Sequence, residues 1–316
     1  TCDSKSIIGF KYSNMKKVFL LILLFFIANE SFGQANLLNA KNPSEIGDSS
    51  ESKAVSEFVD YEYVDDKDIL WSKVVYEFID LNERLNFPLL FPVNDTKYDD
   101  TRKSLWRVIR ESIENGKISE VYDSNNDNFT EASRIIGKDS TDLEANIYKN
   151  YNITDIYKSK YVPESFVPRE VASSADIFGY VIKGIWYFDK IHAELRYRLL
   201  AIQPYGTDHK TSVDGEETET GYFWIWYPSI REILDDHLVF NDKNNNNRVS
   251  FDELLINRRF SSYIYKYDNV YGDREIRDYI RQRDNESYAQ WQTRIVMESE
   301  RIKKEILDFE IDMWGY

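Results

Sequence analysis

The stretch Phe178-Gly-Tyr-Val-Ile-Lys-Gly-Ile-Trp-Tyr-Phe188, followed beyond Asp189 and Lys190 by Glu194-Leu-Arg-Tyr-Arg-Leu-Leu-Ala-Ile202, decides the fold class. β-Branched and aromatic side chains fill the first run, which suits a pleated and largely buried strand. In the second, Leu195, Tyr197 and Leu199 alternate with Glu194, Arg196 and Arg198, as a half-buried antiparallel strand requires. A hydrophilic loop from Tyr205 to Gly221 leads to Tyr222-Phe-Trp-Ile-Trp-Tyr227, a third strand. Three adjacent strands form a small meander over about residues 178–227, and such a sheet needs helices on a face to bury it. The expected class is therefore α+β: helices packed on a small antiparallel sheet, with a long C-terminal helix.

Helical periods lie on both sides of the meander. Leu70, Trp71, Val74, Val75, Phe78 and Ile79 recur at helical spacing against Lys73, Glu77 and Asp80, so residues Asp65 to Asn82 predict an amphipathic helix. Phe87-Pro-Leu-Leu-Phe-Pro92 reads as an apolar extended segment, because two prolines interrupt it. A second helix is expected from about Thr101 to Glu114 with Gly116 as its stop, and a short strand from Ile118 to Tyr122. Residues Asp123 to Asn146 turn to Asn, Asp, Ser and Thr, a surface excursion and a possible lobe boundary. The last third predicts helices at Ser229 to Leu238, Phe251 to Tyr265, Asp273 to Arg281 and about Tyr288 to Asp312. In the last of these Trp291, Ile295, Ile302, Ile306, Phe309 and Met313 form one stripe, with Glu300–Lys304 and Arg301–Glu305 as supporting pairs.

The N-terminal segment reads as an address. Met15, Lys16 and Lys17 precede a wholly apolar run from Val18 to Ile27, and Ser31-Phe-Gly33 offers small residues for cleavage. The run is shorter than the ~18 or more apolar residues of a membrane span. Residues 1–14 are thus expected to be an over-extended start, 15–33 a signal peptide, 34–60 an extended polar arm and 61–316 the globular domain. Gln34, not a cysteine, stands at the cleavage point, which leaves the mature chain without a lipid anchor of its own, and Cys2 is the one cysteine of the chain. Export then points to the periplasm.

Composition narrows the chemistry. Of 316 residues, 55 are acidic and 40 basic, a formal net charge of -15, which argues against a nucleic-acid partner. A hydrophobic fraction of 42% with 23 Tyr, 18 Phe and 7 Trp supplies a folded core. Three His and one Cys leave little for a thiol or soft-metal site.

Within that narrow set, Asp242-Lys-Asn-Asn-Asn-Asn-Arg-Val-Ser-Phe-Asp-Glu253 places oxygen side chains at the first, third, fifth, ninth and twelfth positions of a calcium loop. The competing reading is an Asn-rich turn in which Ser250 caps the next helix. His192 beside Asp189 and Glu194 has the setting of a general base but no nucleophile in a recognisable signature, and reads equally as a turn histidine. His209 and His237 sit in a polar loop and at a helix end. The acid pairs Asp65-Asp66, Asp99-Asp100, Glu216-Glu217 and Asp235-Asp236 could serve a carbohydrate-active enzyme, or be solvated carboxylates. No glycine-rich phosphate loop or zinc spacing occurs.

Several separated blocks nevertheless carry a resemblance. Tyr63-Val-Asp-Asp-Lys-Asp-Ile-Leu70, Ile79-Asp-Leu-Asn-Glu-Arg84 with Asn86-Phe-Pro88, Trp186-Tyr-Phe-Asp-Lys190 with Glu194-Leu-Arg-Tyr-Arg-Leu-Leu200, Arg258-Arg-Phe-Ser261, Asn269-Val-Tyr-Gly-Asp-Arg-Glu-Ile276 and Asp312-Met-Trp-Gly-Tyr316 resemble the GldN/PorN family of gliding-motility and type IX secretion proteins of Bacteroidota. The likeness begins in the Asn36-Leu-Leu-Asn-Ala-Lys-Asn-Pro-Ser44 arm and is loosest from Asp123 to about Ser173 and in the Tyr205 to Gly221 loop. It implies a non-catalytic periplasmic subunit that forms a ring with the GldK/PorK outer-membrane lipoprotein and contacts the periplasmic part of the GldM/PorM motor component. Copies of the chain would meet within that ring, with the partner supplying the attachment to the inner face of the outer membrane. The resemblance transfers no catalytic residue, cofactor or metal.

Overall fold

The computed structural model describes residues 58–94, 102–135, 172–208, 219–239, 249–270 and 272–314. The leader, nearly all of the arm, most of the calcium-like loop and residues 136–146 lie outside them. In chain order the strands and helices are β1 (Ile69–Asp80), α1 (Phe87–Leu90), α2 (Leu105–Glu114), β2 (Val121–Asp123), β3 (Arg134–Ile135), β4 (Ile177–Asp189), β5 (Glu194–Thr207), β6 (Glu219–Gly221), β7 (Phe223–Trp226), α3 (Arg231–Asp235), α4 (Phe251–Ile256), β8 (Tyr263–Tyr267), α5 (Ile276–Tyr279) and α6 (Tyr288–Trp314).

The class is α+β, and the 178–227 meander is the middle of a larger sheet. Among the described residues eight strands join in the order β3-β2-β7-β5-β4-β1-β8, with β6 beside β5, and the neighbouring strands pair antiparallel. The long strands β4 and β5 pair from Ile177–Gly206 to Asp189–Glu194 around a turn in which Ala193 takes φ 54°. Asp189 holds this turn by accepting the Ile191 backbone N–H at 2.8 Å.

The largest departure from expectation lies in Asp65 to Asn82, where a 3-10 turn at Asp66–Asp68 leads into strand β1 and no amphipathic helix forms. Their apolar positions mimic a helical period because apolar side chains pack on both faces of the strand. Val75 and Ile79 enter the cores under one face, while Val74, Tyr76 and Phe78 pack on the other. Glu77, polar in any pattern, is 1% exposed and receives Arg258 Nη2 at 2.7 Å and the Ser262 hydroxyl.

Two more segments change class. Helix α4 stops at Ile256, Arg258 takes φ 51°, and the expected helix to Tyr265 gives way to β8. Phe87–Leu90 is a one-turn helix with Pro88 in its first turn, where a missing N–H costs nothing, and the extended backbone starts only at Phe91. The remaining helices are confirmed: α2, α3 and α5 are shorter than expected, α2 starting at Leu105 behind the Ser104 cap and α3 and α5 spanning only Arg231–Asp235 and Ile276–Tyr279, while α6 runs the expected length and on to Trp314.

One face of the sheet carries the main core. Ile79, Tyr180, Ile182, Ile202, Phe223 and Ile225 pack there against Leu89, Trp106, Ile109, Leu234, Phe251 and Leu255 from α1 to α4. Arg231 and Asp252 join α3 to α4 through two buried hydrogen bonds at 3.1 and 3.2 Å, and the Tyr227 hydroxyl donates to the same carboxylate.

Helix α6 buries Ile302 and Ile306 against Val75, Ile264 and Tyr267 and stacks Phe309 on Trp71 at 4.6 Å. Of its expected pairs Arg301–Glu305 forms at 3.1 Å, whereas Glu300 pairs with Lys303. The helix also closes the outer side of β8. The Ile264 N–H donates to Ser299 Oγ at 2.8 Å, and Lys303 Nζ donates to the Ser262 carbonyl at 2.7 Å.

Candidate functional site

The second face of the sheet is an open aromatic groove. Strand register puts its side chains in rows: Tyr263-Phe78-Val181-Gln203, and Lys266-Tyr76-Lys183-Ala201-Trp226. A third row, Asp80-Gly179-Tyr205-Gly221, has glycine at two of its four positions. A Cβ at Gly179 would lie 2.4 Å from Phe78 Cζ, and one at Gly221 would lie 2.7 Å from the Gln203 amide. Both glycines thus let neighbouring side chains lie down across the strands, which lowers the floor.

A bulge in β8 adds a residue between the partners of Tyr76 and Glu77, so Tyr265 and Lys266 both line the groove. The first turns of α6 form a wall through Tyr288, Trp291, Ile295 and Val296. The groove has a volume of about 690 Å³.

One end of this face is covered by the turn 124–130. Phe129, at φ 49°, inserts edge-on among Tyr122, Trp224 and Trp226 at 5.1 to 6.2 Å. Asp127 is the polar hub: it accepts the Tyr76 hydroxyl at 2.5 Å and Lys266 Nζ at 3.3 Å, and its backbone carbonyl accepts Lys183 Nζ at 2.9 Å. Burial opposes the charged carboxyl, but the Tyr76 hydrogen bond and the two ammonium groups hold its pKa below the ordinary value. Burial pushes the Tyr76 hydroxyl far up and the Lys183 ammonium down. Both lysines also lie over the Tyr76 ring, at 4.3 and 5.2 Å.

The other end is free. Phe78 meets Tyr205 and Tyr263 at 5.5 and 5.6 Å, and the hydroxyls of Tyr205, Tyr263 and Tyr265 have no hydrogen-bond partner among the described residues. Desolvation raises all three hydroxyl pKa values, and the carboxylates of Asp80, Glu219 and Glu275 add to it. Glu275 is paired with Arg277 at 2.5 Å. Asp80 accepts only the backbone and side-chain amides of Asn82, and Asp80 and Glu219 have no ion-pair partner among the described residues.

The candidates singled out in the sequence do not converge on this groove. His192 Nδ1 lies 2.8 Å from Asp189 Oδ2, in the β4–β5 turn. His237 Nδ1 lies 2.8 Å from the Ile233 carbonyl, with burial lowering its pKa, and His209 is outside the described residues. Asp65 caps a turn and pairs with Lys67, Asp235 and Asp236 end α3, and the other two acid pairs are outside the described residues. Of the calcium-like stretch, residues 242–248 lie outside. Within the rest Ser250 caps α4 by accepting the Glu253 N–H at 3.1 Å, and Glu253 pairs with Arg259 at 3.3 Å. Among the described residues no three His, Cys, Asp or Glu side chains are grouped to hold a metal, and no helix is long and apolar enough to cross a membrane.

Of the Tyr222 to Tyr227 run, only Trp224 lines the groove, while Phe223, Ile225 and Tyr227 are core. Asp80, Asp127, Glu219 and the β8 tyrosines were not legible as a site. The alternation Tyr263, Tyr265, Tyr267 was the signal that would have exposed β8.

A large antiparallel sheet with helices over one face and an open aromatic groove on the other defines an α+β protein. No curated protein matches the chain. Residues 64–315 match the family model of gliding motility associated protein GldN, and the chain belongs to the GldN family. It is accordingly a component of the gliding motility and type IX secretion apparatus.

Proposed function

We propose that the protein is a non-catalytic structural subunit of that apparatus, held in the periplasm at the inner face of the outer membrane. It forms a ring complex with a GldK/PorK-like lipoprotein and contacts the periplasmic part of a GldM/PorM-like motor component. The observation that carries this reading is the family match over residues 64–315. The residues after 33 form the mature chain, and its attachment to the membrane comes through the lipoprotein. The surface chemistry is in keeping with assembly: tyrosine and tryptophan, which dominate protein-protein contacts, line the open groove.

Light scattering on purified residues 34–316, alone and mixed with the delipidated lipoprotein of the same organism, tests it. The expected result is a stable complex of high mass that needs both proteins. A chain that stays monomeric beside the lipoprotein would overturn the ring assignment.

A further inference from the structure

The free end of the groove combines three features. Phe78, Tyr205 and Tyr263 present a pocket of rings, two of them with unbonded hydroxyls. Asp80 and Glu219 line it as carboxylates without a counter-ion among the described residues. The lysines at the other end are bound to Asp127, and Arg277, which also lines the groove and acts on the same tyrosines, is held by Glu275 at 2.5 Å, so none of the three forms an ion pair with these acids. Rings beside uncompensated carboxylates are the surroundings a cation seeks, since ring faces and carboxylates attract it together. A neutral saccharide would stack on the rings but leave both charges unmatched.

We infer that this groove receives an extended, basic segment of another protein, with one Arg or Lys side chain entering the notch of Phe78, Tyr205, Tyr263, Asp80 and Glu219. The unbonded tyrosine hydroxyls donate to the segment's backbone carbonyls, as in aromatic grooves that bind extended peptides. The volume of about 690 Å³ falls within the roughly 300–1,000 Å³ of ligand clefts. The partner segment is sought on a different protein, because a basic segment complements the two carboxylates and a chain of net charge -15 is the poorer source of one. The groove takes such a segment whichever subunit carries it.

The test is isothermal titration of the full chain with the twelve-residue peptide acetyl-GSPLPRPLPGSG-amide, its counterpart with glutamine in place of arginine, and chitohexaose. The arginine peptide is expected to bind at least about tenfold more tightly than the glutamine peptide. That advantage should disappear in the Asp80→Asn, Glu219→Gln double variant, whose amides keep the local hydrogen-bonding shape. Equal affinity for the two peptides, or no saturable binding of either up to about 1 mM, would overturn the inference. Binding of chitohexaose without the arginine peptide would overturn it in favour of a saccharide.

Discussion

Asp127 does for the groove what a cap does for a helix: one short carboxylate gathers a hydroxyl, an ammonium group and, through its own carbonyl, a second ammonium. Because its folded pKa is depressed, the stability it adds is full above the unfolded pKa and is lost as pH falls through the folded one. Tyr76→Phe removes one of the contacts that depress it. The Asp127 carboxyl should then titrate at higher pH, so that acid releases the 124–130 turn earlier, with a cost of about 1 kcal/mol at neutral pH. Carboxyl carbon shifts followed against pH would show this, and an unchanged titration would refute it. None of it could be read in the sequence, where Tyr76, Asp127 and Lys266 stand far apart with no motif to join them. The β4–β5 turn was easier, since Asp189, His192 and Glu194 are neighbours and their contacts are local.

Among the elements, the readable ones have a single apolar side. Helix α6 shows it with solvent opposite its stripe, and helix α2, most of whose residues are buried, shows it because Arg107, Arg110 and Glu111 set a polar side against Leu105, Val108, Ile109 and Ile113. Strand β1 is covered on both sides, so its alternation disappears, and Glu77 counts as surface until Arg258 is brought to it by β8. Strand β8 does alternate, with Tyr263, Tyr265 and Tyr267, but over only five residues that follow directly on the helical run of α4, and its bulge turns Tyr267 to the core while Tyr263 and Tyr265 face the groove.

The joint between β8 and α6 should be sensitive. Ser299 is fully buried and its hydroxyl is the acceptor for the Ile264 N–H. Ser299→Ala leaves that donor without a partner and is expected to cost about 1–3 kcal/mol. Faster hydrogen exchange at Ile264 with little change at Ile182 would locate the loss at this joint. A uniform change across the sheet would show that α6 does not act locally.

At the scale of the molecule, charge dominates. A chain with net charge -15 should meet a basic partner quickly at low salt and more slowly as the ions screen it, the screening length falling from about 14 Å at 50 mM to about 4 Å at 500 mM. Association with the lipoprotein should therefore slow severalfold over that range while dissociation changes little. Stopped-flow or surface-binding kinetics would measure both, and a salt-independent association rate would mean that the acidic surface faces away from the contact.

Helix α6 has a second effect through the hydrogen bonds from Ile264 and Lys303. An uncovered outer strand is a template that accepts any extended backbone, at almost any register, and invites fibres. With that border occupied by a serine and a lysine, any neighbour on this side would have to be chosen by the fit of side chains. Such a fit sets an angle between subunits, and a fixed angle lets an assembly close on itself where strand addition would have run on without end.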